Sequence, residues 1–133
     1  MMNMNKFTQK SQEAVVEAQQ LATRFGHQEI DAEHLALALL SQEGGLIPRL
    51  IDKLNLSSES LKQVIEEELR KRPKVAGAAS SYVTQRLNQL FVKAEDEAKE
   101  LKDEYVSVEH LFLALLGENG TALAKLWSTF GLT

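Results

Sequence analysis

Glu33-His34-Leu35-Ala36-Leu37-Ala38-Leu39-Leu40 returns later in the chain as Glu109-His110-Leu111-Phe112-Leu113-Ala114-Leu115-Leu116. A short lead-in precedes each copy, Ile30-Asp31-Ala32 in one case and Val106-Ser107-Val108 in the other. The two histidines stand 76 positions apart, and the same offset holds without a gap on both sides. It carries Thr8-Gln9-Lys10 onto Thr84-Gln85-Arg86, Val16 onto Val92, Ala18 onto Ala94 and Ala22 onto Ala98. Downstream it carries Gly44 onto Gly120, Leu50 onto Leu126 and Leu56 onto Leu132. Self-similarity at a fixed period marks a duplicated supersecondary unit. The chain reads as two tandem copies of one helical unit.

The blocks are apolar nearly all round, and a helix of that kind is buried on most sides. Each becomes the central helix of its copy, capped by Asp31 or Ser107, with Glu33 or Glu109 in the first turn facing the positive end of the helix dipole. Residues 1–6 read as a frayed start. Thr8 caps a helix reaching about Phe25, with Val15, Ala18, Ala22 and Phe25 inward and Gly26 as its stop. Gly44-Gly45 ends the central helix, and a short helix follows over about Leu46 to Leu54. Ser57 opens a fourth helix, with Leu61, Val64, Ile65 and Leu69 inward and Glu66-Glu67-Glu68 mostly outward. Pro73 stops it, and Arg72 to Ser81 reads as an irregular, flexible connection. The second copy restarts at Thr84, with Leu87, Leu90, Phe91, Ala94, Ala98 and Leu101 as its stripe. Its last helix takes Thr121 to Phe130 and carries Trp127 as a packed anchor. The expected architecture is all-α, a single domain over 1–133 with repeat one at 7–71, a connecting loop at 72–82 and repeat two at 83–133. The second repeat lacks the counterpart of the fourth helix, as a fragment of a longer chain would.

A length of 133 residues suffices for one core. Fifteen Lys and Arg against nineteen Asp and Glu give a net charge of -4, with no clustered basic patch, so nucleic acid is not an expected partner. There is no cysteine, which removes disulfides, thiolate metal sites and cysteine nucleophiles. The N-terminus lacks the apolar core of a signal peptide, and the run Leu35 to Leu40 is far too short to span a bilayer. No membrane partner is expected, and the expected location is the cytoplasm.

The Glu-His pairs are the one feature that resembles a chemical site. Their adjacency turns the two side chains about a quarter-turn apart, unlike the i, i+4 histidines of a zinc helix, so neither a metal nor a catalytic role is expected. No Ser or Thr lies in a nucleophile elbow, and neither glycine cluster fits a phosphate-binding loop.

Lys6-Phe7-Thr8, Asp31-Ala-Glu-His-Leu35, Gln42-Glu-Gly-Gly-Leu46, Arg72-Pro-Lys-Val-Ala-Gly77 and Leu101-Lys-Asp-Glu-Tyr-Val-Ser-Val-Glu-His-Leu111 converge on one family. Together they resemble the N-terminal domain of the Clp ATPases, most nearly that of the ClpB disaggregase type, over nearly the whole chain. The resemblance implies a non-catalytic all-helical module, tethered to ATPase rings that use ATP and magnesium and assemble as a homohexamer. It implies contact with unfolded or aggregated client proteins, delivery of them to a central pore, and cooperation with the DnaK chaperone system. The isolated domain would be a monomer without a cofactor of its own. Three polar residues tied to client contact in that family match Thr8, Asp103 and Glu109. In ClpC-like relatives the paired glutamates bind phosphorylated arginine, which maps onto Glu33 and Glu109 and makes adaptor or phosphoarginine docking the alternative, with Glu33 a secondary candidate. The segments before the two glutamates differ, which favours a single asymmetric patch at Asp103 and Glu109.

Overall fold

The computed structural model describes residues 4–75 and 81–132. Helices α1 (Gln9–Arg24), α2 (Ala32–Ser41), α3 (Leu46–Lys53) and α4 (Ser58–Arg70) make the first repeat. Helices α5 (Gln85–Glu100), α6 (Val108–Leu116) and α7 (Ala122–Thr129) make the second. α2 lies at the centre, packed by α1, α4, α3, α5 and α6, while α5 packs on α6. The sequence explains this placement: from Ala32 to Leu40 every residue of α2 is buried. Leu61, Ile65 and Leu69 of α4 close over it, with Val64 only half-buried. α7 seats Trp127 in the interior, where its indole N–H donates to the Leu115 carbonyl at 3.0 Å and its ring meets Phe112 edge-on.

Thr8, Ser57, Thr84 and Thr121 cap their helices as hydroxyl acceptors of a first-turn amide. Three left-handed backbone positions repeat at the same offset: Gly26 and Lys102, Gly44 and Gly120, Asn55 and Gly131. Gly26 takes φ +76° at no steric cost, whereas Lys102 holds φ +59° against a penalty of roughly 1 kcal/mol. The duplication therefore extends to backbone conformations that the side chains no longer favour.

The lead-in to each repeat pairs with the other repeat. β2 (Tyr82–Val83) lies parallel to β1 (Glu29–Ile30), with Thr84 N–H donating to the Ile30 carbonyl at 3.1 Å. Reciprocally, Phe7 bridges Val106 in parallel, with Thr8 N–H donating to the Val106 carbonyl at 3.0 Å and Val106 N–H to that of Lys6 at 2.7 Å. Phe7 is buried and meets Phe91 of α5 edge-on at 5.9 Å.

Three expectations need correction. Met4–Lys6 form a short 3-10 turn rather than a frayed start, because Phe7 behind them is anchored in the second repeat. Residues 1–3 lie outside the described residues. Leu101 is 59% exposed rather than inward. Its counterpart Phe25 stacks on the His27 ring at 5.6 Å, and the second repeat has the carboxylate of Asp103 where that ring would be. The connection starts as an ordered segment: Arg72 joins an ion cluster, and Val75 N–H donates to the Gly26 carbonyl at 2.8 Å. Residues 76–80 lie outside the described residues.

Candidate functional site

The two Glu-His blocks share one piece of local chemistry. His34 Nδ1 accepts the Asp31 backbone N–H at 2.9 Å, and His110 Nδ1 accepts that of Ser107 at 2.9 Å. Each histidine thus stands where a capping box usually has Glu or Gln, satisfying an amide at the start of the helix. A neutral imidazole whose Nδ1 accepts must carry its proton on Nε2, so the Nε2–H becomes a donor to whatever stands opposite. In the first repeat that is Nδ1 of His27, at 2.9 Å. In the second it is Oδ2 of Asp103, also at 2.9 Å. His27 and Asp103 occupy the same place at the repeat offset.

The outcomes differ. The His27–His34 pair is buried, and His27 Nε2 has no well-formed partner, with the backbone of Leu69 beside it. Burial, then the His27 ring and Arg72, pull the His34 pKa down to about 4. Burial and Arg72 likewise hold His27 below its ordinary range. Asp103 is instead about half exposed, at 52% of its side chain.

The glutamates diverge further. Glu33 is buried under two guanidinium groups: its Oε1 takes Arg72 Nη2 and, at 2.9 Å, Arg86 Nη1, which lies 3.2 Å from Oε2. Asp31 accepts the Ala32 N–H and the Thr84 hydroxyl, both at 2.8 Å, and pairs with Arg72 and Arg86 at 3.3 Å. Glu118 grips the other edge of Arg86 with two bonds of 2.7 Å. Burial pushes the Asp31 carboxyl up, but the Ala32 amide, the Thr84 hydroxyl and the two arginines outweigh it and hold its pKa below the usual value. Burial also opposes charge on Arg86, and Glu118, Glu33 and Asp31 together raise its pKa above the usual arginine value.

None of this cluster recurs at Glu109, which is exposed. At the repeat offset Ser107 replaces Asp31, Gln42 replaces Glu118 and Lys10 replaces Arg86. Lys10 pairs with Glu13 at 3.7 Å, and Gln42 donates to the Lys10 carbonyl. The cluster did not emerge from the sequence reading, although a signal was present. The offset pairs charged residues with neutral or shorter ones at three positions that meet in space.

The strand bridge brings Thr8 next to Val106, between Asp103 and Glu109 in sequence. Val106 lies three positions from both Asp103 and Glu109, so the three candidate residues flank, along the sequence, one strand bridge joining the repeats. Thr8 is half-buried and engaged as the α1 cap through Ser11. Glu33 lies at the other joint and already holds two arginines. A cavity of about 660 Å³ opens at that other joint, walled by Gln20, Arg24, Ile30 and Tyr82 among others. Thr8, Asp103 and Glu109 are not among its walls. Among the described residues no group of three or more His, Asp or Glu is placed to hold a metal ion. No described helix is long and apolar enough to cross a membrane.

Two tandem helical repeats, each opening its buried helix with an Asp/Ser-x-Glu-His turn, define the class. Residues 6–130 match the family described as the Clp repeat N-terminal domain, and the chain belongs to it. The chain is similar to ClpB chaperones: it is 50% identical to chaperone protein ClpB of Nitratidesulfovibrio vulgaris, over 99% of this chain and 16% of that one. Chaperone protein ClpB of Bacillus anthracis is 41% identical over the same shares. The chain thus spans about a sixth of the length of these relatives. In fold it is similar to the Hsp104 N-terminal domain of Candida albicans, with a TM-score of 0.84 at 19% identity, covering 96% of this chain and 83% of that one. It also matches a ClpV N-domain in complex with a VipB peptide, with a TM-score of 0.80 at 21% identity, covering 96% and 80%.

Proposed function

We propose that this domain recruits unfolded or aggregated protein for an ATP-dependent disaggregase, binding it at the joint of Thr8, Asp103 and Glu109 and passing it to ATPase rings. The observation that carries this reading is the contrast between the two joints. One set of carboxylates is ion-paired with Arg72 and Arg86, while Asp103 and Glu109 face solvent. Exposed apolar side chains neighbour them in sequence, with Leu101, Tyr105 and Leu113 each more than two-fifths exposed. A mixed apolar and acidic surface suits an extended segment that needs both a dry contact and an orienting charge. The ClpV N-domain seen with a peptide is one relative of this fold that takes a polypeptide ligand. Affinity is expected to be weak, about 10–100 µM, because a tethered module gains from effective concentration and must release its client.

The larger protein, in this reading, is a cytoplasmic homohexamer that uses ATP and works with the DnaK system. Phosphoarginine docking at a glutamate pair fits less well, since Glu33 already holds two guanidinium groups. The test is the D103A/E109A double variant against an unfolded polypeptide, followed by fluorescence anisotropy. Unchanged helical circular dichroism with binding weakened about tenfold is expected. Binding at the parent's strength would remove the assigned joint.

A further inference from the structure

Asp103 begins the turn between α5 and α6 immediately after the left-handed Lys102. Its backbone N–H is tied to the Ala98 carbonyl at 2.8 Å, but its half-exposed side chain is held by His110. His110 is itself buried, and its ring is fixed from the other side by the Ser107 N–H on Nδ1. The Ser107 hydroxyl also lies 3.0 Å from that nitrogen. The ring therefore has one orientation and one tautomer, with its single remaining donor aimed at Oδ2 of Asp103.

We propose that His110 is a positioning residue for client binding, its Nε2–H holding the Asp103 carboxylate in place in the turn that precedes Glu109. This rests on the assignment of Asp103 to client contact. The first repeat supplies an internal comparison. His34 makes the same capping contact and carries the same Nε2 donor, but the residue opposite is the buried His27. The histidine is common scaffold, and the residue 76 positions apart in the partner slot decides whether the scaffold presents a carboxylate to solvent.

The two ring nitrogens can be separated by substitution. Asparagine reproduces the Nδ1 acceptor of histidine but stops short of Asp103. Glutamine places an amide donor near the Nε2 position and is itself a usual capping-box residue for the Ser107 N–H. The probe is reduced, carbamidomethylated lysozyme, an unfolded basic polypeptide, titrated against this chain. H110N is expected to keep the helix start and melt near the parent, yet bind about fivefold more weakly. H110Q is expected to melt near the parent and bind within about twofold of it. D103A/H110N should bind no worse than D103A alone. H110N at parent affinity beside a weakened D103A overturns the positioning role alone, as do H110N and H110Q that weaken binding equally. D103A at parent affinity overturns the assignment of the joint and, with it, the proposal.

Discussion

Removing the Arg86 side chain tests the cluster most directly. Arg86 alone contacts all three carboxylates: Glu118 twice at 2.7 Å, Glu33 at 2.9 Å and Asp31 at 3.3 Å. In R86A, Asp31 and Glu33 would keep only Arg72 and Glu118 would lose its guanidinium partner, while the three remain 14%, 5% and 10% exposed. Deleting one partner of a buried ion pair costs about 3–5 kcal/mol, chiefly by stranding the other charge. Arg86 is itself 26% exposed, which admits some water and favours the lower end, about 3 kcal/mol. For a chain of this size that is a drop of roughly 10 °C in Tm. The control is built into the molecule: K10A removes the residue at the same place in the first repeat, an exposed pair worth about 0.5 kcal/mol or less. Urea and thermal denaturation followed by circular dichroism would compare the two. The acid limb adds a signed check. Asp31 has a folded pKa below its ordinary value, so its contribution is present above that value and is lost as pH falls through the folded one. Without Arg86 the folded pKa rises, and acid unfolding should begin at a higher pH. An R86A variant no less stable than K10A, with the same acid limb, would refute the cluster's role.

His34 makes a second pH prediction of opposite chemical origin. Its folded pKa is about 4 against an ordinary 6.5, so the folded state binds fewer protons and stability is lost as pH falls from about 6.5 towards 4. Urea melts across that window should show a loss of order 2–3 kcal/mol, flattened in H34N, which keeps the capping acceptor. Leu37 and Leu113 occupy equivalent places on α2 and α6 but are 1% and 44% exposed. L37A should cost about 3 kcal/mol and L113A less than about 1, as read from denaturant midpoints.

Much of the fold was legible because the repeat doubled every signal. Caps at Thr8 and Thr84, glycine stops at Gly44 and Gly120, and the apolar runs of α2 and α6 each appeared twice. Leu101 was misjudged because periodicity reports which face points inward, not whether a ring lies there to cover it. The Arg72 and Arg86 cluster escaped because its members come from four separate segments that only the tertiary fold brings together. Glu33 and Glu109 looked alike in sequence for the same reason. Their first turns match, while the residues that bury one and not the other lie far along the chain.

The reciprocal strand bridges make the molecule resemble a strand-swapped homodimer whose two subunits have been joined end to end. Each half donates its opening strand to the other, Phe7 to Val106 and Tyr82-Val83 to Glu29-Ile30. A half cut free would lose the partner for its own lead-in and leave an unpaired edge beside its central helix. Severing the connection in the intact molecule would leave two such stitches, and α2 packed against α6, still holding the halves together.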